Sequence, residues 1–138
     1  MSHQADRKPA VSVIVRHPDD RRVLLVQRGN DPAKGLWAFP GGRVQPDESA
    51  PAAAAREVME ETGIAVEQLA AFRRYDLPGT AGVIGFRLEV FRAETRDRLD
   101  PVAADDAIDA RWVSIAEALA LPMPDSVREC LLSLAGPC

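Results

Sequence analysis

"GGRVQPDESAPAAAAREVMEETGI", residues 41–64, decides how this chain is read. It sets Glu57, Glu60 and Glu61 within about one helical turn of one another, just after a Gly-Gly pair. Like charges at helical neighbour spacing repel. Either the three glutamates simply face water, or a cation sits among them. Helix is expected from Ser49 to Thr62: Pro51 suits a first turn, four alanines (52–55) favour helix, and Gly63 suits a terminator. At about 100° per residue, Glu60 and Glu61 lie close to Glu57 on a carboxylate front. Ala54, Ala55, Val58, Met59 and Thr62 then form an apolar back. Arg56 stands four residues before Glu60, at pairing distance.

Working outward, "AVSVIVR" (10–16) alternates Val11, Val13 and Val15 against Ile14 and reads as a strand. "HPDDRR" (17–22) reads as a turn and "VLLVQR" (23–28) as a second strand, so a hairpin is expected. "LWAFP" (36–40) is a short extended piece, and Gly41-Gly42 a tight turn. Strand-like runs follow at 66–76, 83–95 and 110–114. Helices are expected at 115–121 and 125–135, the second amphipathic through Val127, Cys130, Leu131 and Leu134. This order gives an α/β or α+β fold in one domain, residues 1–138.

The bulk numbers set limits. The chain has 138 residues with a formal charge of −4. That mild acidity is no footprint for nucleic acid, and none is expected as a partner. Its 46% hydrophobic content supports a core and its 28% charged content a wetted surface. Cys130 and Cys138, with only His3 and His17 to join them, argue against a disulfide framework or a zinc set. The apolar run 10–15 is too short for a membrane or secretory segment, so a cytoplasmic location is expected.

Oxygen-only acidic clusters suit hard divalent cations. Magnesium takes octahedral oxygen ligands and shares its shell with substrate phosphates. A second acidic pair, Asp105-Asp106, precedes a strand. The residue types alone therefore point to a magnesium site, with Mn²⁺ as a substitute, and to chemistry on a phosphate ester or anhydride. Arg28 and Arg43 are candidates to meet a phosphate, arginine forking onto its oxygens. Trp37 and Phe39, alternating on one side of a strand, either stack on a base or fill the core.

Gly42, Glu48, then Arg56-Glu57-Val58-Met59-Glu60-Glu61-Thr62-Gly63-Ile64 resembles the signature of Nudix hydrolases at every fixed position. Seven residue types are fixed, so a chance match is on the order of one in a billion per starting position. "LWAFPGG" and "DDAIDARWV" look like members of the ADP-ribose pyrophosphatase-like group. The resemblance implies an α/β/α sandwich with a mixed sheet and a loop-helix-loop catalytic motif. It implies hydrolysis of a nucleoside diphosphate linked to another group, with a small-molecule nucleotide as partner. By the same resemblance, Glu57, Glu60 and Glu61 are metal ligands and Gly41 offers its carbonyl. Arg56 holds a catalytic glutamate, and Glu48 braces the loop. Asp106, in preference to Asp105, is an extra ligand or the base. Pro78 agrees weakly with ADP-ribose as substrate. Two alternatives stand beside this: a nucleoside triphosphate pyrophosphohydrolase, and a non-catalytic nucleotide sensor, which the complete set of box glutamates speaks against. A homodimer is the default expectation for any assembly.

Overall fold

The computed structural model describes residues 7–18, 20–30, 33–79, 85–96 and 100–135. His3, Cys138 and part of the 76–82 loop lie outside them. Strands β1 (Lys8–His17), β2 (Asp20–Arg28), β3 (Trp37–Ala38) and β4 (Gly41–Arg43) precede helix α1 (Ala50–Thr62). Then come β5 (Glu67–Leu77), β6 (Phe86–Glu94), β7 (Ala107–Val113), α2 (Ile115–Leu119) and α3 (Asp125–Ala135). All seven strands join one sheet, in which β1 and β6 run parallel and the other pairs antiparallel.

The period-2 alternation in β1 sends its residues to two different cores. Val11, Val13 and Val15 pack with Leu24, Phe91 and Ala93 under Ala53, Ala54 and Val58 of α1. Ile14, Val23, Leu25 and Val90 face the other way, onto Ala118 of α2 and Val127, Cys130 and Leu131 of α3. The sheet is thus covered on both sides, which is the expected α/β/α sandwich. Each aliphatic side chain so buried contributes about 1.5–3 kcal/mol.

Helix α1 starts where Ser49 Oγ accepts from the Ala52 amide at 3.2 Å, with Pro51 in its first turn. It stops at Gly63, whose φ of 75° is left-handed and whose N–H donates to the Met59 carbonyl at 2.9 Å. Ser49→Ala would cost about 1 kcal/mol through the lost cap.

Local reading fails at three places. The 17–22 turn is tighter than expected: Asp20 already pairs with His17, and β2 begins there. Gly41-Gly42 is not a turn but part of strand β4, pairing with Ser12 and Val11. The reason is the parting of β1 from β2. Among the described residues they pair at Arg16↔Val23 and His17↔Asp20. Toward the other end β3 takes the edge of β2, and β4 takes the edge of β1. Met59 is also misplaced by the helical reading: it is 47% exposed, beyond the edge of the apolar face.

Candidate active site

The parting of β1 and β2 lays β4 beside α1, and the two glycines set how close it comes. A Cβ on Gly41 would stand 2.1 Å from the Val11 carbonyl oxygen. A Cβ on Gly42 would stand 2.3 Å from Oε2 of Glu57. Glycine serves here for close approach. In the space so freed, Glu57 and Glu61, one turn apart, are buried while Glu60 stays exposed. Of the two readings of the carboxylate front, facing water therefore describes Glu60 but not Glu57 and Glu61.

Fixed donors hold the carboxylates. The Gly41 N–H donates to Glu61 Oε1 at 3.0 Å. Arg56 Nη1 donates to Glu57 Oε1 at 2.8 Å and to Glu60 Oε1 at 2.9 Å. Its Nε and Nη2 fork onto Glu48 at 3.0 and 2.6 Å, and Nη2 also reaches the Arg43 carbonyl at 3.1 Å. Glu48 Oε1 accepts in addition from the Gln45 amide at 2.9 Å. One guanidinium thus ties the loop before α1 to two glutamates of the helix.

Burial shapes the acidities. Desolvation pushes Glu61 up to about 7. The Gly41 N–H opposes this, the charges of Glu57 and Asp106 add to it, and Arg28 opposes it. Glu57 is raised too, chiefly by burial, against the pull of Arg56. Glu48 is lowered, first by its bonds from Arg56. Two buried carboxylates that resist ionisation are what a bound cation would relieve. Their oxygen-only chemistry fits a hard divalent ion. Among the described residues no three acidic, His or Cys groups are gathered closely enough to hold an ion as they stand.

A second loop closes on the same place. The Val102 N–H donates to the Thr62 carbonyl at 3.0 Å, and that of Ala104 to the Glu61 carbonyl at 3.1 Å. Asp105 takes a φ of 57°. Asp106 accepts from Asn30 Nδ2 at 2.8 Å through Oδ1, and its carbonyl accepts from the Gly29 N–H at 2.9 Å. Both aspartates act electrostatically on the helix, Asp105 on Glu57 and Asp106 on Glu61. Asn30 was not singled out by sequence reasoning. Its stretch, "GNDPAKG", carries only loop signals.

The remaining candidates separate. Arg28, at the end of β2, is close enough to Glu61 to act on its charge. Arg43 offers its carbonyl to Arg56 and lays its guanidinium 5.5 Å from the Phe86 ring centre. Trp37 and Phe39 are 6% and 5% exposed and belong to the core beneath α2 and α3. That burial leaves almost no ring surface for a base, so the core alternative describes them. A cavity of about 720 Å³ opens elsewhere, at the other end of β1, between Arg16, Glu67, Arg92 and Glu94. None of the candidate residues lines it.

Residues 6–134 match the model of the NUDIX domain. The chain belongs to the NUDIX family. Within that family it is 34% identical to the ADP-ribose pyrophosphatase of Methanocaldococcus jannaschii over 112 residues, 78% of this chain and 63% of the relative. It is 37% identical over 100 residues to a Mycobacterium tuberculosis protein provisionally named 8-oxo-dGTP diphosphatase 2, covering 66% of this chain and 71% of that one. Among solved structures it resembles a bifunctional NMN adenylyltransferase/ADP ribose pyrophosphatase from Francisella tularensis, solved with AMP and a manganese ion. The TM-score is 0.73 at 27% identity, over 94% of this NUDIX chain and 41% of that one. This chain therefore spans under two thirds of the archaeal relative and under half of the Francisella protein.

Proposed function

We propose that this NUDIX domain hydrolyses the pyrophosphate bond of a nucleoside diphosphate linked to another group, with ADP-ribose or a nucleoside diphosphate sugar as substrate and Mg²⁺ as cofactor. The observation that carries the proposal is the buried Glu57–Glu61 pair, held against β4 by Gly41 and Gly42 and braced through Arg56. Glu57, Glu60 and Glu61, with the Gly41 carbonyl, would hold the cation. When bound, it supplies charge neutralisation of the diphosphate and a lowered pKa for water.

The chain's own residues do the rest. Arg56 keeps Glu57 and Glu60 in place and is itself anchored on Glu48. Arg28, beside Glu61, meets a phosphate oxygen. Asp106 arrives from a separate loop and accepts the proton of the attacking water. A bond forms from the water oxygen to one phosphorus, and the bond from that phosphorus to the bridging oxygen breaks. The second phosphate leaves with its electron pair, and no covalent enzyme intermediate is needed.

The names of the archaeal and Francisella relatives favour ADP-ribose. That of the mycobacterial relative supports the second reading, a nucleoside triphosphate pyrophosphohydrolase. Incubation with ADP-ribose and Mg²⁺, with chromatographic separation, should give AMP and ribose phosphate in equal amounts. Full activity of metal-stripped protein in excess EDTA would overturn the metal-dependent mechanism.

A further inference from the structure

The register between β2 and β7 slips by one residue beside the site. Gln27 pairs with Asp109 but Arg28 pairs with Ala107, so Ile108 is the extra residue of a β-bulge. Bulges bend a strand and re-aim the side chains beside them. Here Ala107 is buried and Ile108 is 61% exposed. A Cβ on Gly29 would stand 2.8 Å from Ile108 Cγ2 and 3.1 Å from the Asp106 carbonyl. The start of the 29–35 loop therefore presses directly on the turn that carries Asp106. The Gly29 N–H bonds its carbonyl, and the Asn30 amide bonds its carboxylate.

Asp106 is an exposed residue on a loop whose other end is tied to α1 through Ala104. A short, exposed aspartate side chain has several rotamers available at little cost, and some of them point into water. A carboxylate only accepts hydrogen bonds, and the Asn30 amide nitrogen only donates. Their 2.8 Å contact can therefore select one rotamer while using one of the two carboxylate oxygens.

We propose that Asn30 is a positioning residue for the reaction: its side-chain amide holds the Asp106 carboxylate toward the box helix. This rests on the placing of Asp106 in the catalytic set under the proposed function. Asn30 itself touches neither substrate nor reacting atoms, so its effect passes through Asp106 alone.

A double-mutant cycle tests this. Asn30→Ala should lower kcat about five- to tenfold, with KM within about twofold. Asn30→Asp, nearly isosteric but repelling Asp106, should lower it further than alanine does. In an Asp106→Ala background, Asn30→Ala should change nothing. Without any substrate or metal, the side-chain amide resonances of Asn30 should shift on Asp106→Ala. Melting temperatures serve as a control and should agree within a few degrees. If Asp106→Ala is impaired while Asn30→Ala matches wild type, the positioning role fails and the placing of Asp106 survives. If Asp106→Ala is silent, both fall. An Asn30→Ala effect of equal size in the Asp106→Ala background would also overturn the proposal.

Discussion

Gly42→Ala separates catalysis from folding in a way the geometry makes quantitative. The added Cβ would meet Glu57 Oε2 at 2.3 Å, its Cδ at 2.5 Å and Oε1 at 2.9 Å. All three atoms are the far end of one flexible side chain, so the clash is relieved by moving Glu57. Ordinary contact requires a shift of about 1 Å, a displacement that costs about 10²-fold in rate when it misplaces a reacting group. The fold should hardly respond. Gly42 lies in strand β4 with no positive φ, so alanine there gains about 0.4–1 kcal/mol from the unfolded chain. That offsets the roughly 0.5–1.5 kcal/mol of an off-rotamer Glu57. Gly41→Ala is the contrast. Its Cβ would meet the Val11 carbonyl oxygen at 2.1 Å and the Ser12 Cα at 2.7 Å, which are backbone atoms that cannot step aside. About 3 kcal/mol of overpacking is expected, or a melting temperature lower by about 10 °C. Circular-dichroism melts and steady-state kinetics on ADP-ribose report both effects. Near-wild-type activity in Gly42→Ala, or a melting loss matching that of Gly41→Ala, would show that the approach of Gly42 does not set the position of Glu57.

Two further outcomes follow from the charges. Glu61, raised to about 7, binds a proton in the metal-free fold that the unfolded chain releases near 4.5. The stability that this proton contributes to the metal-free fold is fully present below about pH 4.5 and falls by up to about 3 kcal/mol as pH rises to 7. Glu61→Gln should flatten that fall in pH-dependent melts and raise the metal-free melting temperature at pH 8, while hydrolysis is lost; an unchanged pH profile would show that Glu61 is not the group concerned. Arg56→Lys keeps the charge but loses the fork onto Glu48 and the reach to Glu57, Glu60 and the Arg43 carbonyl. It should lower kcat at least about tenfold and melting by a few degrees, and wild-type kinetics would show that the bracing is dispensable.

What could be read from the sequence was whatever depends on near neighbours. Helix α1 announces itself through Pro51, its alanines and Gly63, and the box glutamates through their spacing. Val11, Val13 and Val15 alternating with Ile14 give a strand, and the resemblance of the box gives the sandwich around it. What escaped depends on distant partners. Gly41-Gly42 carries the local signal of a turn, yet it is strand because β1 and β2 part and leave an edge to fill. Trp37 and Phe39 fit either a core or a stacking role until α2 and α3 bury them. The bond of Asn30 to Asp106 spans 76 residues and exists only through the β2–β7 register. No composition or periodicity within residues 29–35 could have marked it.

The substrate proposed for the buried carboxylates of α1 is a nucleoside diphosphate bearing a second group. The ratio of kcat/KM for ADP-ribose to that for a set of triphosphates, 8-oxo-dGTP among them, measured at one fixed Mg²⁺ concentration, tests it most directly. ADP-ribose is expected to be preferred and to yield AMP. A preference of about tenfold or more for any triphosphate, about 1.4 kcal/mol in transition-state stabilisation, would contradict it.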